Sequence, residues 1–279
     1  MSVRKNNHPV EGTDGLVYQC RLPLPSANPD LVSSLVRDHL KKIRSRWRKL
    51  PPGRIALIGL AALRHDQRLS YMAGGNGDSA SAVRRWLLEV LELLAARAPR
   101  LDRALKKIAR QSGVVVLLDG TLVRTRRRTG DGNRPNYSGK HKAHGLPFLA
   151  LTDERGNLVW ISAAKPGRSS EITTARHNKI TTRLREAGLD ALADLGFIGP
   201  DDDPDDPVIA TGCRARRGHP LTAAQKEANR LVSRERAANE HGFADLKNWR
   251  ILSKVRTNAI HATTLLRALL VLTNAEVSR

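Results

Sequence analysis

Val114-Val-Val-Leu-Leu-Asp-Gly-Thr121 is the stretch at which the chain changes its pattern. Before it, apolar residues recur at helical intervals. Here five apolar residues follow one another without a break, which fits a short strand buried on both faces better than one side of a helix. The run Val114–Leu118 ends in Asp119-Gly120-Thr121. A carboxylate at the end of a buried strand is costly to desolvate unless a cation or a metal ion faces it. Beside Gly and Thr it also suits the start of a turn, and both readings stand at this point.

Upstream, residues 1–27 hold Pro9, Pro23 and Pro25 with little periodicity and read as an irregular arm. Residues 28–110 read as helical. Leu31–Ile43 repeats apolar residues at helical spacing, and Pro51-Pro52 breaks the chain and opens a second helix over Arg54–Leu63. Gly74-Gly-Asn-Gly-Asp78 precedes a third helix over Ser79–Leu94, for which Asp78, Ser79 and Ser81 are candidate caps. A helix, a short polar segment and a Ser-capped helix carrying Arg84 and Arg85 fit a helix-turn-helix with both arginines on DNA. They fit an ordinary helical bundle equally well.

Downstream, residues 111–279 read as mixed α/β. Leu146–Thr152 and Leu158–Ala163 flank a Gly/Asn turn and predict a hairpin. A helix opened by Ser169 or Ser170 is expected over 170–187, short strands at 191–194 and 207–211, and helices at 221–248 and 258–276. Strand, hairpin, helix, strand, helix is the order of one mixed sheet covered by helices. Asp194 closes the short run Leu189–Ala193 much as Asp119 closes the first strand, with Asp190 as a competitor. Asp201-Asp-Asp-Pro-Asp-Asp206 reads as a surface loop and not as a catalytic metal site.

A third carboxylate lies in Ser233-Arg-Glu-Arg-Ala-Ala-Asn-Glu-His-Gly-Phe-Ala-Asp-Leu-Lys247. At about 100° per residue, Arg236, Glu240 and Lys247 fall within roughly 40° of one another on a helix. Such a stripe suits any exposed helix that carries an i,i+4 ion pair. It also suits metal-assisted phosphodiester chemistry, in which the carboxylate holds the metal and the cations hold phosphates. Asp119, Asp194 and Glu240 are therefore the candidate catalytic and metal-holding residues. Ligands made of oxygen alone favour Mg²⁺ or Mn²⁺ over zinc. No Gly-x4-Gly-Lys-Ser/Thr loop and no Gly-x-Ser-x-Gly elbow occurs, which argues against a nucleoside triphosphatase and a serine hydrolase.

The charge balance names the class of partner. Lys and Arg number 48 against 27 Asp and Glu, a net charge of +21, which favours a polyanion and above all nucleic acid. Between residues 121 and 144, Arg124, Arg126, Arg127, Arg128, Arg134, Lys140 and Lys142 face a single acid, Asp131. Arg124, Arg126, Lys140 and Lys142 join Arg236 and Lys247 as candidate phosphate contacts. Two cysteines, Cys20 and Cys213, are too few for a disulfide framework and suit a reducing cytosol. The first residues lack an apolar segment of signal-peptide length, and no apolar run approaches the ~18 residues of a membrane span. The expectation is a soluble, cytoplasmic protein.

Taken together these motifs resemble the DDE-superfamily transposases of bacterial insertion-sequence type, close to the Harbinger-like and fifth-insertion-sequence families. Asp119-Gly-Thr resembles the first aspartate of that family, Tyr137-Ser-Gly-Lys-His-Lys142 its basic segment, and Asp194-Leu-Gly-Phe-Ile-Gly199 its second aspartate. Leu221–Asn229, then Arg236, Glu240, His241, Phe243, Leu246, Lys247 and Trp249-Arg-Ile-Leu252, resemble the helix of the third carboxylate. Ser233 stands where the family has Tyr, and Asn239 where an apolar residue commonly precedes the Glu. The resemblance covers roughly 30–275. It implies an α/β, ribonuclease-H-like mixed-sheet core behind an N-terminal helix-turn-helix. It also implies two divalent ions on Asp119, Asp194 and Glu240, cleavage at transposon ends, strand transfer into target DNA, and a homodimer on DNA in the bacterial nucleoid. A catalytically silent, domesticated DNA-binding protein and a general nuclease of the same fold are the competing readings.

Overall fold

The computed structural model describes residues 22–45, 50–126, 131–197, 203, 205–215, 217–256 and 258–277. Most of the expected N-terminal arm, Cys20, Arg127, Arg128, Asp201 and Asp202 lie outside the described residues.

Five helices precede the sheet: α1 (Ala27–Lys42), α2 (Pro52–His65), α3 (Leu69–Gly74), α4 (Ala80–Ala95) and α5 (Leu101–Arg110). Local chemistry sets their ends. Pro52 opens α2, where its fixed φ and missing N–H cost nothing, and Asp66 closes it in the left-handed region at φ 50°. Of the three candidate caps for α4, Ser79 performs the role, its Oγ accepting from Ala82 N at 3.2 Å. Neither α3 nor α5 was expected from the sequence. Each is short, and α5 shows its logic only once Ala104, Leu105 and Ile108 are seen buried on one side.

The sheet holds β1 (Val115–Arg124), β2 (Tyr137–Ser138), β3 (Ala143–Thr152), β4 (Leu158–Ile161), β5 (Asp190–Ala193) and β6 (Ile209–Thr211). Its order is β2-β3-β1-β5-β6, with β4 also on β3. β3 is antiparallel to β1 and β4, whereas β1, β5 and β6 run parallel. One expectation is corrected here. β1 does not stop before Asp119 but continues to Arg124, because β3 pairs with it from Leu117 as far as Arg124.

A second correction concerns 170–187, which forms two helices, α6 (Glu171–His177) and α7 (Ile180–Ala187). Asn178 Nδ2 donates to Thr174 O at 2.7 Å, and Lys179 turns to φ 51°, so the helix breaks between them. The cap of α6 is Ser170, which accepts from Thr173 N at 3.0 Å. The chain ends in α8 (Ala223–Lys247) and α9 (Ala259–Val277). Thr222 and Gln225 form a capping box at the start of α8.

Two apolar clusters sandwich the sheet. On one face Val123, Leu146, Phe148 and Ala150 join Phe243, Leu246, α9 and the buried sides of α1, α2 and α4. On the other, Val116, Leu118, Leu149 and Leu151 pack on α5 and α7. Trp249, fully buried, ties the ends together. Its Nε1 donates to Thr273 Oγ1 at 3.1 Å, and the Arg64 guanidinium lies 5.1 Å from its ring centre. No helix among the described residues is long and apolar enough to cross a membrane.

Candidate active site at the ends of the parallel strands

Register places the two aspartates. Leu117 of β1 pairs with Leu192 of β5, so Asp119 and Asp194, each two residues further on, stand level on neighbouring parallel strands. β5 ends at Ala193 and leaves Asp194 just past its last pair. Asp119 remains inside β1 but beyond the reach of β5. Both carboxylates thus sit at the carboxyl edge of the parallel strands, where ligands reach an open α/β sheet. Backbone N–H groups orient each one: Gly120 N donates to Asp119 Oδ1 and Gly196 N to Asp194 Oδ1, both at 2.8 Å.

Glu171, at the start of α6, brings a third carboxylate to this edge. A Cβ on Gly120 would lie 2.8 Å from Glu171 Oε1. One on Gly196 would lie 2.7 Å from Glu171 Oε2 and 2.8 Å from Asp194 Oδ1. The Glu171 side chain thus packs directly over both glycines. Lys140 Nζ donates to both Glu171 oxygens, at 2.8 and 2.9 Å. Burial opposes the charge on Lys140, but the hydrogen bond and charge of Glu171, with the fields of Asp194 and Asp119, outweigh it and hold its pKa above the usual lysine value. Glu171 was not among the residues singled out from the sequence. The available signal was Gly120 itself, since a glycine inside a strand marks a close approach of something else.

Arg236 of α8 reaches the site from the other side, with Nη2 3.5 Å from Asp119 Oδ2. Its Nε is buried without a hydrogen-bond partner, so the guanidinium has donor capacity to spare. Asp119 is held above its ordinary pKa, first by burial and then by Asp194 and Glu171, while the Gly120 N–H and Arg236 pull the other way. α8 itself is fixed at two points. Asn229 brackets the backbone of Cys213 just beyond β6, accepting from its N–H at 2.7 Å and donating to its carbonyl at 2.9 Å. Phe243 and Leu246 are buried against the sheet, with Phe243 6.3 Å from Phe148 between ring centres.

The structure thus brings together Asp119, Asp194, Arg236 and Lys140. Glu240 lies one helical turn beyond Arg236 and is exposed. Lys247, two turns further, lines a cleft of about 360 Å³ with Thr121, Arg124, Phe148 and Phe243. Both cations of the stripe therefore face β1. Arg84 and Arg85 are exposed on α4, Arg124 and Arg126 at the far end of β1, and Lys142 in the turn before β3. Among the described residues no three His, Cys, Asp or Glu side chains stand close enough to enclose a metal ion. The chemistry of the donors at the edge nonetheless suits a hard divalent cation. They are oxygen alone, burial and then the nearby Asp194 and Glu171 disfavour the charge on Asp119, and Lys140 already supplies a positive charge among them.

The family described as DDE superfamily endonuclease matches residues 118–274, a span that takes in Asp119, Glu171, Asp194 and the whole of α8. No curated protein and no solved structure matches the chain.

Proposed function

The chain belongs to the DDE superfamily of endonucleases, and on that premise we propose that it is a transposase that cuts DNA at transposon ends and joins the freed 3′-hydroxyl to target DNA. The observation that carries this reading is the level placement of Asp119 and Asp194 on neighbouring parallel strands, with Arg236 3.5 Å from Asp119. The strand order, three antiparallel strands followed by two parallel ones, supports a ribonuclease-H-like core. The Ser79-capped α4 with exposed Arg84 and Arg85 supports a helix-turn-helix role for the preceding helices.

Endonucleases of this superfamily generally use divalent metal ions. Asp119 and Asp194 would hold them here, with Glu240 drawn in from α8, and two Mg²⁺ or Mn²⁺ ions fit the oxygen donors. When bound, such ions polarise the phosphodiester and lower the pKa of the attacking water or hydroxyl. Arg236, with donors unused, fixes a phosphate oxygen and offsets charge that builds as the bond breaks. Lys140 balances the carboxylates until DNA and ions arrive. In cleavage, water adds to phosphorus and the P–O3′ bond breaks, which frees the 3′-hydroxyl. In joining, that hydroxyl attacks a target phosphodiester, one P–O bond replaces another, and the energy of the linkage is conserved. Joining two ends calls for two copies of the chain, so a homodimer on DNA belongs to the proposal, as does a place in the bacterial cytoplasm beside the nucleoid.

Asp119→Asn tests the reading. Losing several kcal/mol of transition-state stabilisation corresponds to about a thousandfold slower Mg²⁺-dependent nicking of supercoiled plasmid. Wild-type rates from this variant would overturn the assignment. The exposed position of Glu240, outside any cluster of acids among the described residues, favours a second reading, a silent DNA-binding protein. That reading predicts binding by the wild type with no nicking in Mg²⁺ or Mn²⁺.

A further inference from the structure

Beyond Asp119, β1 leads to a feature that neither segment's sequence announces. Thr125 forms an isolated parallel bridge with Val255. Val255 N donates to Arg124 O at 2.9 Å, and Arg126 N donates to Val255 O at 3.1 Å. Arg124-Thr125-Arg126 and Lys254-Val255-Arg256 therefore lie side by side, pinned at their centres. In a paired ladder the residues flanking the central pair project to the opposite side from it. The central Val255 is buried, while Arg124, Arg126, Lys254 and Arg256 are all exposed. The acid that faces this group is Asp66 at the end of α2, which feels the charges of Arg256 and Arg126. Among the described residues Arg124 and Lys254 pair with no carboxylate.

The surface continues towards the aspartates. A shallow groove of about 460 Å³ runs past Arg124, Arg126, His144 and Lys254. It meets the cleft of about 360 Å³ at Arg124, and that cleft leads by Lys247 to Thr121, two residues from Asp119. Six residues of strand separate Asp119 from Thr125, about 20 Å at roughly 3.3 Å each. Along one strand of B-DNA that distance corresponds to about six base pairs.

We propose that this bridged four-cation platform binds the phosphate backbone of duplex DNA about six base pairs from the phosphodiester held at Asp119 and Asp194, with Lys254 as a direct contact. The assignment rests on the endonuclease reading for its direction and on the platform's own geometry for its existence. Two short segments bonded to each other hold four exposed positive side chains, and a groove past three of them meets the cleft that reaches Lys247 and Thr121. That spacing suits successive phosphates along a duplex.

The test uses the full chain, a labelled 30-base-pair duplex and EDTA, with fluorescence anisotropy read across a series of salt concentrations. Each phosphate contact contributes about 0.9 to the slope of log K against log salt. Lys254→Ala is expected to bind roughly tenfold more weakly near 0.1 M salt and to lose about one unit of slope. Lys254→Arg is expected to restore both. Lys106→Ala, at an exposed position of α5, a helix that lines neither groove, is expected to change neither. Lys254→Ala behaving like Lys106→Ala would overturn the proposal. The two readings fail separately. Unchanged binding by Lys254→Ala alongside loss of cutting by Asp119→Asn removes the platform alone. Weakened binding by Lys254→Ala alongside unimpaired cutting by Asp119→Asn removes the catalytic assignment alone.

Discussion

The acids carried by strands and the acid carried by the long helix are held in different ways. Asp119 and Asp194 are fixed by sheet register, each accepts a backbone N–H at 2.8 Å, and cations already stand beside them. Glu240 rides on α8, a helix of 25 residues tied at Asn229 and at Phe243 and Leu246, and stands exposed between those ties. Strand acids are thus placed before any ligand arrives. The helix acid has its direction set by the helix and otherwise stands in solvent. An acid that touches little can be neutralised with little effect on stability, whereas one inside the charge cluster cannot.

Glu240→Gln sharpens this contrast most. If Glu240 joins the aspartates only in the DNA-bound state, the variant cuts plasmid a hundredfold to a thousandfold more slowly. Its stability should stay within about 0.5 kcal/mol of wild type, as for most exposed substitutions. Plasmid nicking and urea unfolding on the same preparation decide it. Full activity would remove Glu240 from the chemistry, and a large loss of stability would mean that it is held in place after all.

The next largest effect concerns the tie that aims the helix. Asn229→Ala removes both hydrogen bonds to the Cys213 backbone and leaves a partly buried N–H and carbonyl without their partner. At about 1 kcal/mol for each net hydrogen bond, a loss of about 1–2 kcal/mol is expected in urea unfolding. Cutting should fall as well, because the same bracket sets the approach of Arg236 and Glu240 to β1. Wild-type activity in a destabilised Asn229→Ala would mean that the buried end of α8 aims the stripe by itself.

The same contrast explains what the sequence disclosed. The run Val114–Leu118 and the hairpin after it could be read because burial on both faces and a Gly/Asn turn leave strong local patterns. The extent of β1 past Asp119 could not, because Gly120, Thr121 and Arg124 have no strand pattern of their own and are held by pairing with β3. The break at Lys179 was hidden since a left-handed lysine has no signature, and α5 since its apolar side is only three residues wide. At the site, the aspartates stood out as acids that end apolar runs, and Arg236, Glu240 and Lys247 stood out by helical spacing. Glu171 follows two serines at a helix start and reads as a residue of the first turn. Only the fold brings it against Gly120 and Gly196. The bridge of Thr125 to Val255 joins positions 130 residues apart, beyond the reach of any local pattern.

The smallest expected effect, and the one that isolates the strand cluster, is its dependence on pH. Asp119 has its pKa raised above the ordinary 3.8, by burial first and by Asp194 and Glu171 after it, against the opposing pull of the Gly120 N–H and Arg236. With a raised pKa, the folded chain binds more protons than the unfolded chain in the window just above 3.8. The contribution of Asp119 to stability is then fully present below that window and is lost as pH rises through the folded-state value. Asp119→Asn has no proton to lose there. In EDTA, its unfolding free energy relative to wild type should therefore rise across the window and level off above it. Urea titrations from about pH 3 to about pH 7 measure the difference directly. A fall in place of the rise would mean that Arg236 outweighs burial and the two neighbouring carboxylates. Asp119 would then be stabilised as an anion, and the strand edge would be a settled ion pair without the strain that a divalent cation relieves.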